Sequence, residues 1–214
     1  PSRHIHIGGD ECPKTQWETN PLCQEIIQRE HLEDEHGLQS YFIRRIGKFL
    51  NEHGRRLIGW DEILEGGLAP DATVMSWRGE KGGIEAAKLG HDVIMTPTEH
   101  CYFDAYQAGP DGEPPAFRNL VTLDSVFNFY PIPNSLTSEE SAHVLGAQGN
   151  VWTEYLKKPE DVEYMVVPRM LALAEVVWTG RPDRDFDDFR RRARHHLTWL
   201  SSKGINVARH LLDC

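Results

Sequence analysis

The residues best suited to chemistry stand in the stretch HIHIGGDECPK, His4 to Lys14, where an apolar alternation ends in two glycines and then two adjacent carboxylates, Asp10 and Glu11. A carboxyl group can pass a proton, accept strong hydrogen bonds or hold a cation, and two neighbours in different settings can divide such tasks. Consecutive strand residues point to opposite faces, so Asp10 and Glu11 reach one ligand only if the backbone turns as the strand ends. Gly8 and Gly9 permit that turn, and without a Cβ they let a ligand or neighbouring strand come close. The plainer reading is a strand-to-loop exit with two solvated acids, since glycine and aspartate are common in turns. Further candidates follow at the ends of later apolar runs: Trp60, Trp77, the pair Tyr102 and Asp104, and the pair Trp152 and Glu154. Taken singly, each tryptophan reads as core, because large aromatics dominate cores as well as binding sites.

The elements that must position these residues are legible as an alternation. Five strands are expected, at HIHIG (4 to 8), RLIGW (56 to 60), TVMSW (73 to 77), DVIMT (92 to 96) and HVLGAQG (143 to 149). Between the first two, Leu38, Phe42, Ile46, Phe49 and Leu50 recur near the helical period and Gly54 stands at the expected stop, which predicts an amphipathic crossover helix. A shorter helix is expected over Gly82 to Leu89, a long one from Pro159 to Gly180 kinked at Pro168, and a last one over 185 to 204. Strands alternating with helices predict a parallel sheet with crossovers, open or closed into a barrel. Polar and aromatic groups recur at the C-terminal strand ends, which is how a TIM-type barrel builds its active-site mouth. Five strands do not close an eight-stranded barrel, so the expected fold is the later part of a (β/α)8 barrel with three strands upstream. Residues 1–181 are expected to form that portion and 182–214 a helix packing on it. The run Gly109 to Pro115, GPDGEPP, reads as a long loop over the mouth.

Composition narrows the partners. A formal net charge of -10 argues against a nucleic-acid groove and against anionic lipid surfaces, and favours a neutral or cationic partner. No apolar run approaches the ~20 residues of a membrane helix, and the N-terminus lacks a signal-peptide layout, so this piece reads as soluble. Cys12, Cys23, Cys101 and Cys214 have neither zinc-ribbon spacing nor the density of a disulfide scaffold, so no metal is expected and the compartment stays open. His6 reads as a hydrogen-bonded packing residue. Trp17, Trp178 and Trp199 read as structural, Arg78 as the partner of a barrel carboxylate, and RRRAR (190 to 194) as the solvated face of the last helix, offset by the acids before it.

With these motifs assembled, the sequence resembles the family 20 glycoside hydrolases, the β-N-acetylhexosaminidases, of bacterial type. HIGGDE at 6 to 11 matches that family's H-x-G-G-D-E signature, and GWDE, MSWRG, CYFDAYQ and NVWTEY follow in the expected order. The resemblance implies that Glu11 is the general acid that protonates the departing oxygen, its ionisation opposed by the neighbouring charge and by desolvation once sugar fills the site. This family is an exception to the two-carboxylate scheme, the substrate's own 2-acetamido oxygen serving as nucleophile. By resemblance, Asp10 orients the acetamido group and stabilises positive charge as an oxazolinium ion forms, while Tyr102 hydrogen-bonds the acetamido oxygen. Trp60, Trp77 and Trp152 would wall the sugar subsite, enclosing the acetamido methyl and stacking on the ring, and Asp104 and Glu154 would accept from sugar hydroxyls. The substrates implied are β-linked N-acetylhexosamine glycans or chitooligosaccharides, cleaved from the non-reducing end with retention and without a cofactor, in a periplasmic or secreted setting.

Family members also have an upstream arginine and a small α/β domain that cannot be assigned to residues here. The absent strands would leave Ile5 and Ile7 on an unpaired edge, so the isolated chain is expected to be inactive and to associate with itself or with the rest of the barrel. Two rivals remain. A non-catalytic sugar-binding protein on the same fold would have no need of a protonated acid beside Asp10 and Tyr102. A strand ending in Asp-Glu also resembles the magnesium-binding strand of a P-loop ATPase, but no GxxxxGK[ST] motif occurs in the chain.

Overall fold

The computed structural model describes residues 2–180 and 183–209. Among them the chain runs β1 (His4–His6), α1 (Thr15–Thr19), α2 (Pro21–Arg29), α3 (Glu35–Glu52), β2 (Arg56–Trp60), a 3-10 turn (Asp61–Leu64), β3 (Thr73–Ser76), α4 (Lys81–Lys88), β4 (Val93–Met95), α5 (Thr98–Cys101), β5 (Ala105–Tyr106), β6 (Phe117–Leu120), α6 (Leu123–Asn128), α7 (Ser138–Ser141), β7 (Val144–Ala147), α8 (Pro159–Val166), α9 (Arg169–Thr179) and α10 (Phe186–Ser202). All five expected strands are present, joined among the described residues into one sheet of order β1-β2-β3-β4-β7. The chain forms two compact units, the first holding Pro1–Met95 and Pro133–Leu145, the second Thr96–Ile132 and the chain from Gly146 onward.

In the first unit β1, β2, β3 and β4 pair in parallel, with His4 opposite Arg56, Ile58 opposite Thr73 and Val74 opposite Val93. All four residues of β3 are buried, as expected of a parallel strand covered on both faces. At the sheet's edge, Ile5 is 41% exposed. Helix α3 starts where the Asp34 side chain accepts from Gly37 N at 2.9 Å, a cap that satisfies one of the orphan donors of the first turn. Its buried face matches the predicted apolar residues only in part. Leu38 is buried, Ile46 and Leu50 are partly buried, Phe42 and Phe49 are exposed, and Ser40, Ile43 and Gly47 are buried as well. Gly47 lies against the first unit's sheet: a Cβ there would be 3.5 Å from Ala69 and 3.6 Å from Leu57 of β2, ordinary contact distances.

In the second unit α6 packs on α9, and Phe127, Phe186 and Phe189 cluster with ring centroids 5.0 Å from Phe127 to each of the other two. Pro168 separates α8 from α9 rather than kinking one helix, because the missing N–H and the ring exclude the helical turn before it. On α10, Phe189, Ala193 and Leu197 face inward at helical spacing, while Arg191 and Arg192 stay exposed and pair with Asp188. Arg192 also grips Glu175 through two N–H groups at 2.7 and 3.0 Å. Two tryptophans read as structural are not core: Trp178 is 92% exposed, and Trp199 is half-exposed beside His196. Both sit on the outward face of a helix whose inward positions are already filled by smaller side chains. Strands β5 and β6 were not legible; they pair in parallel around the GPDGEPP run, whose Glu113 carboxylate accepts from Gln107 N at 2.9 Å and Ala108 N at 2.8 Å. Residue 181, where the expected domain boundary falls, and Cys214 lie outside the described residues.

Candidate active site

The sequence predicts a backbone turn at the end of β1, and the structure contains it. Gly8 and Gly9 have φ of 73° and 106°, and Glu11 itself lies in the left-handed region at 46°. A residue with a Cβ pays ~1–2 kcal/mol there, and such strain persists where surrounding structure enforces it, commonly at working sites. Here the enforcement is visible. Gly8 N donates to His6 Nδ1 at 3.1 Å, Gly8 O accepts from Trp60 N at 3.0 Å, and Gly9 O accepts from the buried amide of Gln39 at 2.8 Å. Gln39 is in turn held by Lys14. Asp10 and Glu11 emerge exposed from this clamp.

His6 is hydrogen-bonded as expected, but it is exposed rather than packed. Its Nδ1 accepts, so the ring proton sits on Nε2, and its ring meets Trp60 edge-on with centroids 4.7 Å apart. Partial burial lowers the imidazole pKa, opposed by the Asp10 charge. Trp60 is 8% exposed, so this indole is mostly packed.

The turn after β2 ties the acid loop to Trp77. Ile63 is fully buried, and a Cβ at either Gly9 or Gly59 would come within 2.7 Å of its Cγ2. Beside it, the Trp77 indole N–H donates to Glu62 Oε2 at 2.8 Å, and Arg78 binds Asp61 through Nε at 2.8 Å, with Glu62 at 3.6 Å. The expected carboxylate partner of Arg78 is therefore Asp61. Because Gly9 combines a strained φ with this contact, Gly9→Ala is expected to cost about 3 kcal/mol of stability. Gly8→Ala, whose Cβ would meet only Asp10 Oδ1 at 3.5 Å, is expected to cost about 1 kcal/mol. Urea midpoints of the two variants check the ranking; equal losses would contradict it.

The second unit brings the other candidates together. Tyr102 forms an isolated parallel bridge with Asn150, whose carbonyl accepts from Phe103 N and whose N–H donates to Cys101 O, both at 2.7 Å. The segment carrying Tyr102 and Asp104 thus runs beside the one carrying Trp152 and Glu154. The carboxylate of Asp104 accepts from its own backbone N–H and from that of Trp152. Burial raises its pKa, an effect those amides and Arg169 oppose and Glu154 reinforces. Tyr102 is nearly buried, Trp152 is half-exposed and Glu154 is exposed.

Two supporting residues escaped the sequence reading. Glu62 lies in the quoted GWDE motif, where a second Asp-Glu pair after a strand was the available signal. Arg169 is a charge inside the apolar run MVVPRMLALA and is fully buried; its guanidinium donates to the carbonyls of Phe103, Ala105, Val121 and Met165.

In the first unit, acids and indoles stand at or just beyond the C-terminal ends of parallel strands, the place where an α/β barrel enzyme builds its site. Residues 1–181 match the catalytic domain of glycosyl hydrolase family 20, and the chain belongs to that family. It is 52% identical over 207 residues to a β-hexosaminidase of Porphyromonas gingivalis, covering 96% of this chain and 27% of that protein. Among solved structures, it is similar to an exo-β-N-acetylglucosaminidase from Vibrio harveyi in complex with N-acetylglucosamine, with TM-score 0.85 and 30% identity over 97% of this chain and 33% of that one. A chitobiase from Flavobacterium johnsoniae superposes with TM-score 0.80 and 31% identity, over 96% of this chain and 30% of that chain. The five-stranded sheet is thus the later portion of a TIM-type barrel, and the chain spans about a third or less of these three relatives.

Proposed function

We propose that this chain is the C-terminal portion of the catalytic barrel of an exo-acting β-N-acetylhexosaminidase that works by substrate assistance. Glu11 gives its proton to the departing glycosidic oxygen while the substrate's acetamido carbonyl attacks the anomeric carbon. The product of that step is an oxazolinium ion. Asp10 orients the amide and offsets its growing positive charge; Tyr102 hydrogen-bonds the acetamido oxygen. Water then opens the ring as Glu11, now a carboxylate, takes up a proton, and two inversions give retention. Carrying the nucleophile within the substrate makes the attack effectively unimolecular, so tight positioning matters more than a second protein carboxylate.

The observation that carries this reading is the clamped left-handed turn from Gly8 to Glu11, which spends backbone strain to present two adjacent acids. Asp104 adds support: its Oδ1 is buried without a hydrogen-bond partner among the described residues, a deficit of ~1–3 kcal/mol that a sugar hydroxyl would relieve once the covering side chains shift. Trp60, Trp77 and Trp152 are assigned to the wall of the sugar subsite, and Glu154 to a second hydroxyl. The outer edge of β1, with Ile5 exposed, is assigned to contact with the rest of the barrel or with a second copy. The substrates proposed are terminal β-linked N-acetylglucosamine or N-acetylgalactosamine residues.

The test compares 4-nitrophenyl N-acetylglucosaminide with the plain 4-nitrophenyl glucoside, using the complete enzyme. Release of 4-nitrophenol only from the acetamido sugar is expected. Equal cleavage of both would remove acetamido participation.

A further inference from the structure

Resting on that reading, we propose that Glu62 is a positioning residue that sets the Trp77 indole against the N-acyl group of the substrate. An indole has one donor, so the 2.8 Å bond from Nε1–H to Glu62 Oε2 fixes where its ring plane lies. The acceptor is itself immobile. Glu62 is buried on a 3-10 turn wedged from two directions: Ile63 fills the space a Cβ at Gly9 or Gly59 would need, and a Cβ at Gly82 would fall 2.6 Å from Asp61 Cβ. The turn cannot follow the indole, so the indole conforms to the turn.

The bland alternative is that Glu62 merely neutralises Arg78. Distances oppose it, because Arg78 Nε lies 2.8 Å from Asp61 and 3.6 Å from Glu62, while its Nη1 is 3.1 Å from Glu65. The cation has two nearer partners, whereas Glu62 Oε2 points to Trp77. Burial and the adjoining Asp61 raise the Glu62 carboxyl above its usual range, and Trp77 and Arg78 pull it back. A carboxyl oxygen accepts in either protonation state, so the restraint on the indole survives a change of charge.

The experiment measures kcat and KM of the complete enzyme on the N-acetyl and N-propionyl forms of 4-nitrophenyl glucosaminide. The variants are Glu62→Gln, Glu62→Leu, Trp77→Phe and the double variant Glu62→Leu/Trp77→Phe. Glu62→Leu is expected to lower kcat/KM for the N-acetyl substrate about 10- to 100-fold, the scale of a hydrogen bond to a charged group, and to shrink the preference for N-acetyl over N-propionyl. Glu62→Gln keeps an acceptor and is expected to recover most of that loss. In the Trp77→Phe background, where no indole N–H remains, Glu62→Leu is expected to add less than about threefold. A folded Glu62→Leu enzyme with wild-type kcat/KM and acyl preference, or full additivity in the double variant, overturns the proposal. Should the leucine variant not fold, hydrogen exchange of the wild-type Trp77 indole N–H decides: protection supports the bond, and exchange at the solvent rate overturns it. Equal wild-type turnover of the plain glucoside would instead defeat the underlying reading of the active site.

Discussion

Glu11→Gln is expected to slow cleavage of a β-N-acetylglucosaminide with a sugar leaving group by about a thousandfold, yet to slow release of 2,4-dinitrophenol by far less. The amide matches the carboxyl in size, so the clamped turn that presents residue 11 is undisturbed. What is lost is the transferable proton. General acid catalysis contributes ~10²–10⁴-fold, or about 3–5 kcal/mol of barrier, when the departing oxygen is basic. A dinitrophenolate departs without protonation, so it has little to lose. Asp10→Asn supplies the contrast. Its assigned work is on the acetamido group, before and during ring closure, and so its cost should be nearly the same for both leaving groups. Steady-state rates on the two substrates, for both variants, check the division of labour. A Glu11→Gln enzyme equally impaired on both substrates would mean that residue 11 does something other than donate a proton.

Much of the scaffold could be read from the chain because its signals are local. A mostly buried strand such as Val93–Met95 is an apolar run whatever surrounds it. Gly8 and Gly9 announce a turn by their type alone, and their positive φ values agree. Other features depend on which surfaces meet, and periodicity is silent on that. The sequence groups Leu38, Phe42 and Phe49 on one apolar face of α3, yet Leu38 is buried and both phenylalanines are exposed, while Gly47, which carries no apolar signal, lies against Leu57. Trp178 lies in the last turn of the apolar helix α9 and still faces outward. The supports of the candidate site were hidden for the same reason. Trp77 and Glu62 are 15 residues apart and meet only after β2 and β3 pair in register. Arg169 reaches carbonyls up to 66 residues away, and nothing in its neighbours predicts those acceptors.

Arg169→Met should therefore be among the most destabilising single changes in the protein, with an expected loss of more than 5 kcal/mol. The side chain has no exposed surface, and its guanidinium donates to Ala105 O at 3.0 Å, Val121 O at 2.9 Å and Met165 O at 2.7 Å, besides Phe103 O. Burial lowers its pKa to about 9, so the group remains charged at neutral pH, and Glu113, Asp104 and Tyr164 favour that charge. Methionine fills similar volume and even removes the cost of burying a cation. It also leaves four carbonyls without their donor, at ~1–3 kcal/mol each. The second effect is the larger one, because the charge-burial cost is already offset by those bonds. Arg169→Lys keeps the charge, but one ammonium with three donors cannot span acceptors that a planar fork with five reaches; a loss of about 3 kcal/mol is expected. The carbonyls of Phe103 and Ala105 flank Asp104, so the lysine variant should also bind substrate less tightly at temperatures where it is fully folded. Urea unfolding, with KM measured well below the transition, separates the two consequences. A methionine variant within 1 kcal/mol of wild type would mean that those carbonyls find other donors, and that Arg169 is not what holds the Tyr102–Asp104 segment in place.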